Sequence, residues 1–368
     1  MPSATRNSGP DIIITGGGTG GHLYPALAVA QALLAEKPDL NLLFICRDHE
    51  RDRQEIKKWN IPYQAFPLEG LRRKITPGNI CAMWKFAQAL RQCRLLMKRR
   101  SPGVVFGVGG YVAAPAMTAG KLSGWKVTLH EQNTVPGLVN RLMAPRCDRV
   151  FLTFDSTRDY WPKLQCMTTG LPLRRELLEA SKQNAASPQQ AAPSVLLIGG
   201  SQGARKLVEI GLQALKTIQD RGIDFQAVVQ TGERNFEWAQ SLPQPEGTIL
   251  KAFIFDMAQA YRDANVVISR AGSGSLAEIA LWGLPSILVP YPFASENHQT
   301  KNAQTWAAAG AAFMIEEKDL TSARLADHLA ALLSDADQRT AMSRRAAALA
   351  RRDAAHMIAG ELVRLLDE

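Results

Sequence analysis

A short β-branched run, Asp11-Ile-Ile-Ile-Thr15, stops at Gly16-Gly-Gly-Thr-Gly-Gly21-His22. An alanine- and leucine-rich helical stretch then runs from Pro25 to about Ala35. Proline suits a first helical turn, where its missing N–H costs nothing. The same unit recurs about half of the 368-residue chain later: Ser194-Val-Leu-Leu-Ile198, Gly199-Gly-Ser-Gln-Gly203, then a helix from about Ala204 to Gln219. A chain that opens each half with strand, glycine turn and helix is heavily constrained. Apolar runs then alternate with helical patterns in both halves. In the first half they are Asn41–Cys46, Gly103–Val108, Trp125–Leu129 and Arg149–Thr153. In the second they are Phe225–Val229, Thr248–Ala252, Asn265–Ser269 and Pro285–Val289. Strands alternating with helices predict parallel sheets covered on both faces. The fold class is therefore α/β, with two doubly wound Rossmann-like domains facing across a cleft. Domain boundaries are expected at 1–170 and 171–349, with the polar, proline-punctuated stretch Ser181–Pro193 as linker or surface loop.

Ligands of such sheets bind beyond the carboxyl ends of the strands, and all the glycine turns fall there. Glycine turns that lead into helices offer backbone N–H groups and a positive helix end, which suits phosphate. Gly16, Gly18 and Gly21 also satisfy the G-x-G-x-x-G dinucleotide fingerprint, with Asp48 or Glu50 as its ribose acid. A dehydrogenase needs one such turn, however, and this chain adds Phe106-Gly-Val-Gly-Gly110-Tyr111 and Ser269-Arg-Ala-Gly272-Ser-Gly274-Ser275. No G-x-x-x-x-G-K-[ST] motif is present, which speaks against a P-loop ATPase. Glu278 has two readings: a capping box with Ser275 as N-cap, or a carboxylate for vicinal ribose hydroxyls.

The ordered set of motifs resembles the MurG family of glycosyltransferases over nearly the whole chain. It comprises Gly17-Gly-Thr-Gly-Gly-His22, Gly107-Val-Gly-Gly-Tyr111, His130-Glu-Gln-Asn133, Gly199-Gly-Ser-Gln-Gly-Ala204, Arg270-Ala-Gly272 with Glu278, and Glu296-Asn-His-Gln299. The resemblance implies the glycosyltransferase B fold and UDP-N-acetylglucosamine as donor. It also implies an undecaprenyl-diphospho-muramoyl-pentapeptide acceptor and an inverting β-1,4 transfer. On the donor side it assigns Ser201, Gln202 and the turn amides to the diphosphate, and Arg174 to the phosphates. Glu278 is assigned to ribose, the backbone of Ile254 to uracil, and Gln299 and Asn133 to the sugar. Thr19, Gly20, Gly21, Ser273, Gly274, Ser275, Leu276 and Ala277 complete that donor set. Gly18, Gly109, Gly110 and Tyr111 are assigned to the acceptor diphosphate. His298 and Ser275 stand where the best-known member has glutamine and threonine, so those contacts differ in detail. The family also implies that residues from about 350 to 368 return to the N-terminal domain.

The transfer requires a base for the acceptor hydroxyl, a group that must reach it and that contributes roughly 10²- to 10⁴-fold. His22, at a helix start and with an ordinary pKa near about 6.5, is one candidate; its other reading is positioning of acceptor phosphate. Glu131 is the second, or else it bonds neighbouring backbone. UDP is stabilised by Arg174 and turn amides, so no metal or other cofactor is expected. Asp335-Ala-Asp337 reads as a turn between helices, and the six histidines show no zinc spacing.

The chain carries a net charge of +9, which bears on partners rather than fold. Between Gly70 and Arg100 lie Arg72, Arg73, Lys74, Lys85, Arg91, Arg94, Lys98, Arg99 and Arg100, and no acidic residue. The rest of the chain is formally neutral. Read as a helix from about Ile80, the segment turns Met83, Phe86, Leu90, Cys93 and Met97 inward. Ile80, Trp84, Arg91, Arg94, Leu95 and Lys98 face outward, with Ile75 and Leu71 nearby and Trp125 as a further member. A mixed apolar and basic face suits anionic phospholipid; the plainer reading is an ordinary basic helix. Nucleic acid is not expected, since only the charge favours it. The five cysteines lack a CxxC pair, and MPSATRNSGP has no apolar stretch of a secretory signal. The expected location is the cytoplasmic face of the inner membrane, peripherally bound. The competing function is a soluble sugar-nucleotide enzyme of the same fold, such as a UDP-N-acetylglucosamine 2-epimerase.

Overall fold

The computed structural model describes residues 11–70, 77–98, 101–182, 192–200 and 203–368. Two compact units divide the chain: Met1–Arg174 with Asp353–Glu368, and Arg175–Arg352. The first unit contains strands β1 (Asp11–Thr15), β2 (Asn41–Arg47), β3 (Tyr63–Phe66), β4 (Val104–Gly107), β5 (Lys126–Glu131), β6 (Arg149–Leu152) and β7 (Cys166–Thr168). Its first helices are α1 (Gly20–Glu36), α2 (Glu50–Lys57), α3 (Pro77–Lys98), α4 (Gly110–Leu122) and α5 (Leu138–Met143). The second unit contains β8 (Ser194–Ile198), β9 (Gln226–Gln230), β10 (Thr248–Lys251), β11 (Val266–Ser269), β12 (Ser286–Leu288) and β13 (Ala312–Met314). Its helices are α6 (Arg175–Lys182), α7 (Arg205–Asp220), α8 (Phe236–Gln240), α9 (Met257–Asp263), α10 (Ser273–Trp282), α11 (His298–Ala308), α12 (Ser322–Ser334) and α13 (Ala336–Ala348). The last helix, α14 (Ala354–Asp367), belongs to the first unit.

Both sheets are parallel, ordered β3-β2-β1-β4-β5-β6-β7 and β10-β9-β8-β11-β12-β13. Each strand order reverses at its first strand, between β1 and β4 and between β8 and β11. Register puts Thr15 beside Gly107 and Ile198 beside Ser269. Two glycine-bearing turns therefore emerge side by side from each switch point, where such sheets bind ligands.

The isoleucines of β1 show why these runs are strands rather than helices. Ile12 and Ile14 join a core shared with α1 and α14, while Ile13 faces the opposite core with Ala89, Cys93 and Met97 of α3. All three are fully buried, as befits a parallel strand covered on both faces. Each such side chain contributes about 1.5–3 kcal/mol. Ile358, Ala359 and Leu362 hold α14 in the first of those cores. Arg149 of β6 bonds Glu361 of α14 at 2.6 Å.

Three sequence expectations change. Helix α1 starts at Gly20, so Pro25 is inside it rather than at its opening. Ser181 and Lys182, read as the start of a linker or surface loop, end α6 instead. Residues 183–191 lie outside the described residues. Short strands β3, β7 and β13 had no clear apolar signature and were not anticipated.

Candidate active site

In the first unit, the turn after β1 runs into α1 with Thr19 as N-cap and His22 as the third helical residue. The turn after β4 runs into α4, with Gly109 as N-cap. These turns converge on His22: a Cβ built on Gly110 would lie 3.6 Å from the imidazole. Thr19 Oγ1 and His22 Nδ1 are 2.9 Å apart. Gly109 has φ +86°, and a Cβ there would meet the Asn140 side chain at 2.5 Å. Only glycine satisfies both conditions.

The amide of Gly18, expected at the acceptor diphosphate, instead donates to Asp52 Oδ2 at 2.9 Å. Its N–H is already used within the fold. Gly20 and Gly21 head the helix, where N–H groups have no carbonyl one turn behind them. Arg47 ties the two turns together: its Nε is 3.8 Å from Asp52, and its Nη1 donates to the Tyr111 hydroxyl at 3.3 Å. Asp48 and Glu50 both pair with Arg53 on the surface. The dinucleotide reading thus loses its ribose acid.

Glu131 is also not placed as a base. Its carboxylate is 1% exposed. It accepts the backbone N–H groups of Asn133 at 2.9 Å and Gly137 at 3.2 Å, and Asn140 Nδ2 at 2.6 Å. Burial pushes its carboxyl above the ordinary range, against those three donors. It shapes the 131–140 loop, where Asn133 also accepts the Thr157 hydroxyl through its carbonyl at 3.0 Å. His130 is fully buried, its Nε2 is 3.0 Å from the Gly170 carbonyl, and burial lowers its pKa to about 4. The Arg174 guanidinium lies over the Tyr24 ring, 4.9 Å from its centroid.

In the second unit, the turn after β8 contains Gly203 at φ +74°, where a Cβ would come within 2.1 Å of the Thr231 carbonyl. Ser201 and Gln202 lie outside the described residues. Beside this turn, α10 starts with Gly272 as N-cap, which places Ser273, Gly274 and Ser275 at its first three positions. Their amides head the helix, where an anion is favoured. The capping box is ruled out, because Ser275 is three residues inside the helix. Glu278, one turn on, accepts the Tyr261 hydroxyl at 2.9 Å. Leu276 is buried and Ala277 half-buried. Ile254 is buried along a pocket of about 440 Å³ that Phe253, Phe255 and Gln259 also line.

Arg270 bonds the carbonyls of Val289 and Pro290 at 3.1 and 3.2 Å and pairs with Glu317. It thereby fixes the loop after β12. Gln299 Oε1 accepts the N–H of Tyr291 in that loop at 2.9 Å. His298 Nδ1 lies 2.6 Å from the Ser295 carbonyl, and burial lowers its imidazole pKa.

Glycosyltransferase family 28 supplies a matching N-terminal domain over residues 12–152 and a matching C-terminal domain over residues 194–358. A UDP-N-acetylglucosamine–N-acetylmuramyl-(pentapeptide) pyrophosphoryl-undecaprenol N-acetylglucosamine transferase of Desulforamulus reducens is 37% identical, over 93% of this chain and 95% of its own. Its counterpart in Geobacter metallireducens is 35% identical, over 96% and 98%. The crystal structure of Acinetobacter baumannii MurG is 29% identical, with a TM-score of 0.79 over 97% of this chain and all of that one. The chain belongs to the MurG family of glycosyltransferases. A solved UDP-N-acetylglucosamine 2-epimerase shares the fold at 14% identity and a TM-score of 0.65.

In this family member, α3 presents Ile80 (74% exposed), Trp84 (60%) and Leu95, together with exposed Arg91 and Lys98 and half-buried Arg94. Met83, expected inward, is 64% exposed and joins them. Ala82 and Ala89 occupy the inner face instead; small residues there let α3 lie close on α4. Trp125 is 3% exposed and sits in the core, so it is no part of the outer face. Ile75 and Leu71 lie outside the described residues. Leu122 at the end of α4 and Leu138 and Leu142 of α5 are also exposed, and sequence reading missed them. Among the described residues, no helix is long and apolar enough to cross a membrane. No group of three or more His, Cys, Asp or Glu among them is placed to hold a metal.

Arg47, Asp52, Asn140 and Tyr261 are the other residues that sequence reading missed. Asp52 lies in Glu50-Arg-Asp-Arg-Gln-Glu-Ile-Lys57, which reads as a solvated charged helix. Nothing in that pattern marks one carboxylate as buried. Asn140 had a weak signal, as a polar residue between the apolar positions of α5.

Proposed function

We propose that the chain transfers N-acetylglucosamine from UDP-N-acetylglucosamine to undecaprenyl-diphospho-N-acetylmuramoyl-pentapeptide, as its relatives' names describe, and that the transfer goes to the C4 hydroxyl with inversion. The N-terminal domain, expected at residues 1–170 with the segment from about 350 to 368, takes the acceptor and the membrane, and residues 171–349 take the donor. The observation that carries this reading is the position of His22 at the meeting point of two glycine turns. Thr19 Oγ1, 2.9 Å from Nδ1, orients the imidazole, and the ring takes the acceptor hydroxyl's proton. An imidazole within reach of the attacking hydroxyl suits that task.

Gly109, Gly110 and Tyr111 hold the acceptor diphosphate beside Gly18, whose own N–H is engaged by Asp52, and Thr19, Gly20 and Gly21 contact the donor. UDP leaves against the turn containing Ser201 and Gln202, the α10 amides of Ser273 to Ser275, and Arg174. Glu278 takes the ribose, the Ile254 backbone the uracil, and Gln299 and Asn133 the sugar. These donors stabilise the leaving diphosphate directly, so the reaction requires no divalent metal. The exposed α3 face docks on anionic phospholipid at the cytoplasmic side of the inner membrane, and Leu122, Leu138 and Leu142 on neighbouring helices widen it. Apolar side chains insert while the cations pair with headgroups.

The test is incubation of the purified protein with radiolabelled UDP-N-acetylglucosamine and lipid-linked muramoyl-pentapeptide, with and without EDTA. Label should enter the lipid fraction equally in both. Label that stays with the nucleotide, or that becomes the 2-epimer when donor is supplied alone, refutes the reading. Complete inhibition by EDTA refutes its metal-free form.

A further inference from the structure

Tyr261 has no part in the activity as described so far, yet it is among the largest fully buried side chains of the protein, at 1% exposure. It lies on α9, the helix that leaves the loop carrying Phe253, Ile254 and Phe255. Asp256 caps that helix by accepting the N–H of Gln259 at 2.9 Å. The Tyr261 hydroxyl crosses to α10 and donates to Glu278 Oε2 at 2.9 Å. Its ring stacks on Trp282, the last residue of α10, with centroids 6.4 Å apart and planes inclined by 27°. The Arg262 guanidinium is over the same indole at 5.8 Å, and its Nη2 reaches the Ala180 carbonyl of α6 at 3.5 Å.

A buried phenol must place its hydroxyl hydrogen on an acceptor. Here the hydroxyl of the stacked ring reaches a half-buried carboxylate one helix away. A carboxylate side chain has free torsions, and a neutral hydroxyl at one oxygen fixes its rotamer without neutralising its charge. The ring stack anchors the hydroxyl, and the hydroxyl anchors the acid. Because α9 begins at Met257, three residues after Ile254, the helix that follows the base-reading loop also sets the carboxylate's orientation.

We infer that Tyr261 is a positioning residue that holds Glu278 in register with the Ile254 loop, so that the donor site reads base and ribose as one rigid unit. This rests on the assignment of Glu278 to the ribose hydroxyls. Tyr261 acts on the donor through Glu278, as a positioning rather than a catalytic residue. It therefore contributes to selection of a ribonucleoside diphosphate sugar over its 2′-deoxy counterpart, and the bond-making step proceeds without it.

The experiment compares KM and kcat for UDP-N-acetylglucosamine and for its 2′-deoxyuridine analogue in wild type, Tyr261→Phe and Glu278→Gln. The phenylalanine keeps the stack on Trp282 and removes only the hydroxyl. Tyr261→Phe should raise KM for the ribose donor about tenfold, the scale of one hydrogen bond to a charged group. Its kcat should change less than about twofold, with KM for the deoxy donor nearly unmoved. The preference for ribose would then collapse in both variants. Equal KM increases for both donors in Tyr261→Phe, or no increase for either, overturn the positioning role while Glu278→Gln still abolishes the preference. If Glu278→Gln keeps the wild-type preference, the ribose assignment itself falls, and the inference with it.

Discussion

Asp52 Oδ2 accepts the backbone N–H of Gly18 at 2.9 Å, so a buried carboxylate holds the first glycine turn from below. The same carboxylate faces Arg47, whose other end reaches the Tyr111 hydroxyl of the second turn. Removing it leaves an unpaired amide and an uncompensated guanidinium at the base of the two glycine turns. Asp52→Ala should therefore lower the unfolding free energy by about 1–3 kcal/mol and reduce kcat. Urea denaturation and initial rates at saturating substrate measure the two effects. Unchanged stability would contradict the anchoring role.

Gly109 should not tolerate a side chain. Alanine there faces both φ +86° and the Asn140 side chain at 2.5 Å. Gly124 has a similar φ of +76° with nothing within 4 Å of a built Cβ. Gly124→Ala then isolates the backbone cost, roughly 1–2 kcal/mol. Gly109→Ala should exceed it clearly and should also impair transfer, because the turn beside His22 must move. Equal costs by thermal unfolding would show that Asn140 gives way freely.

Acid should weaken the first unit through His130. Its folded pKa, near about 4, lies below the ordinary 6.5 because burial disfavours the cation. A group with a depressed folded pKa adds stability above its unfolded pKa, lost as pH falls through the folded value. The window is therefore pH 6.5 down to about 4, and the full displacement corresponds to about 3 kcal/mol. Denaturation midpoints measured across this range should fall more steeply in wild type than in His130→Gln. Parallel curves would contradict this account.

The α3 face should be separable from chemistry. Replacing Ile80 and Trp84 by serine, with Arg91→Glu, removes two exposed apolar groups and reverses one charge. Sedimentation with phosphatidylglycerol vesicles should drop severalfold, while UDP binding by calorimetry stays at the wild-type value. Undiminished sedimentation would place the docking surface elsewhere.

What sequence could supply, and what it could not, follows from physics at particular residues. Continuous β-branched runs such as Ile12–Ile14 mark strands buried on both faces, and the glycines that end them mark the switch points. Those signals locate the central strands of each sheet and the turns that carry the candidate site. Strands β3, β7 and β13 lie at sheet margins, only three or four residues long and incompletely buried. Periodicity has too little to act on there. Helix α3 misleads differently: its inner face is set by the small Ala82 and Ala89, whereas a periodicity reading follows the large Met83. Glu131 and Glu278 were both legible as polar residues in glycine-rich company. Their hydrogen-bond partners, Asn140 and Tyr261, come from other elements, so only the folded chain tells the buried Glu131 from the half-buried Glu278.

The central claim is that His22 removes the acceptor proton, and the direct measurement is kcat at saturating donor and acceptor in His22→Gln against wild type. The kcat should fall by about 10²-fold or more, with UDP affinity unchanged because the groups assigned to uracil, ribose and the leaving diphosphate are on other elements. A kcat within a fewfold of wild type would contradict it and leave His22 as a residue that merely positions phosphate.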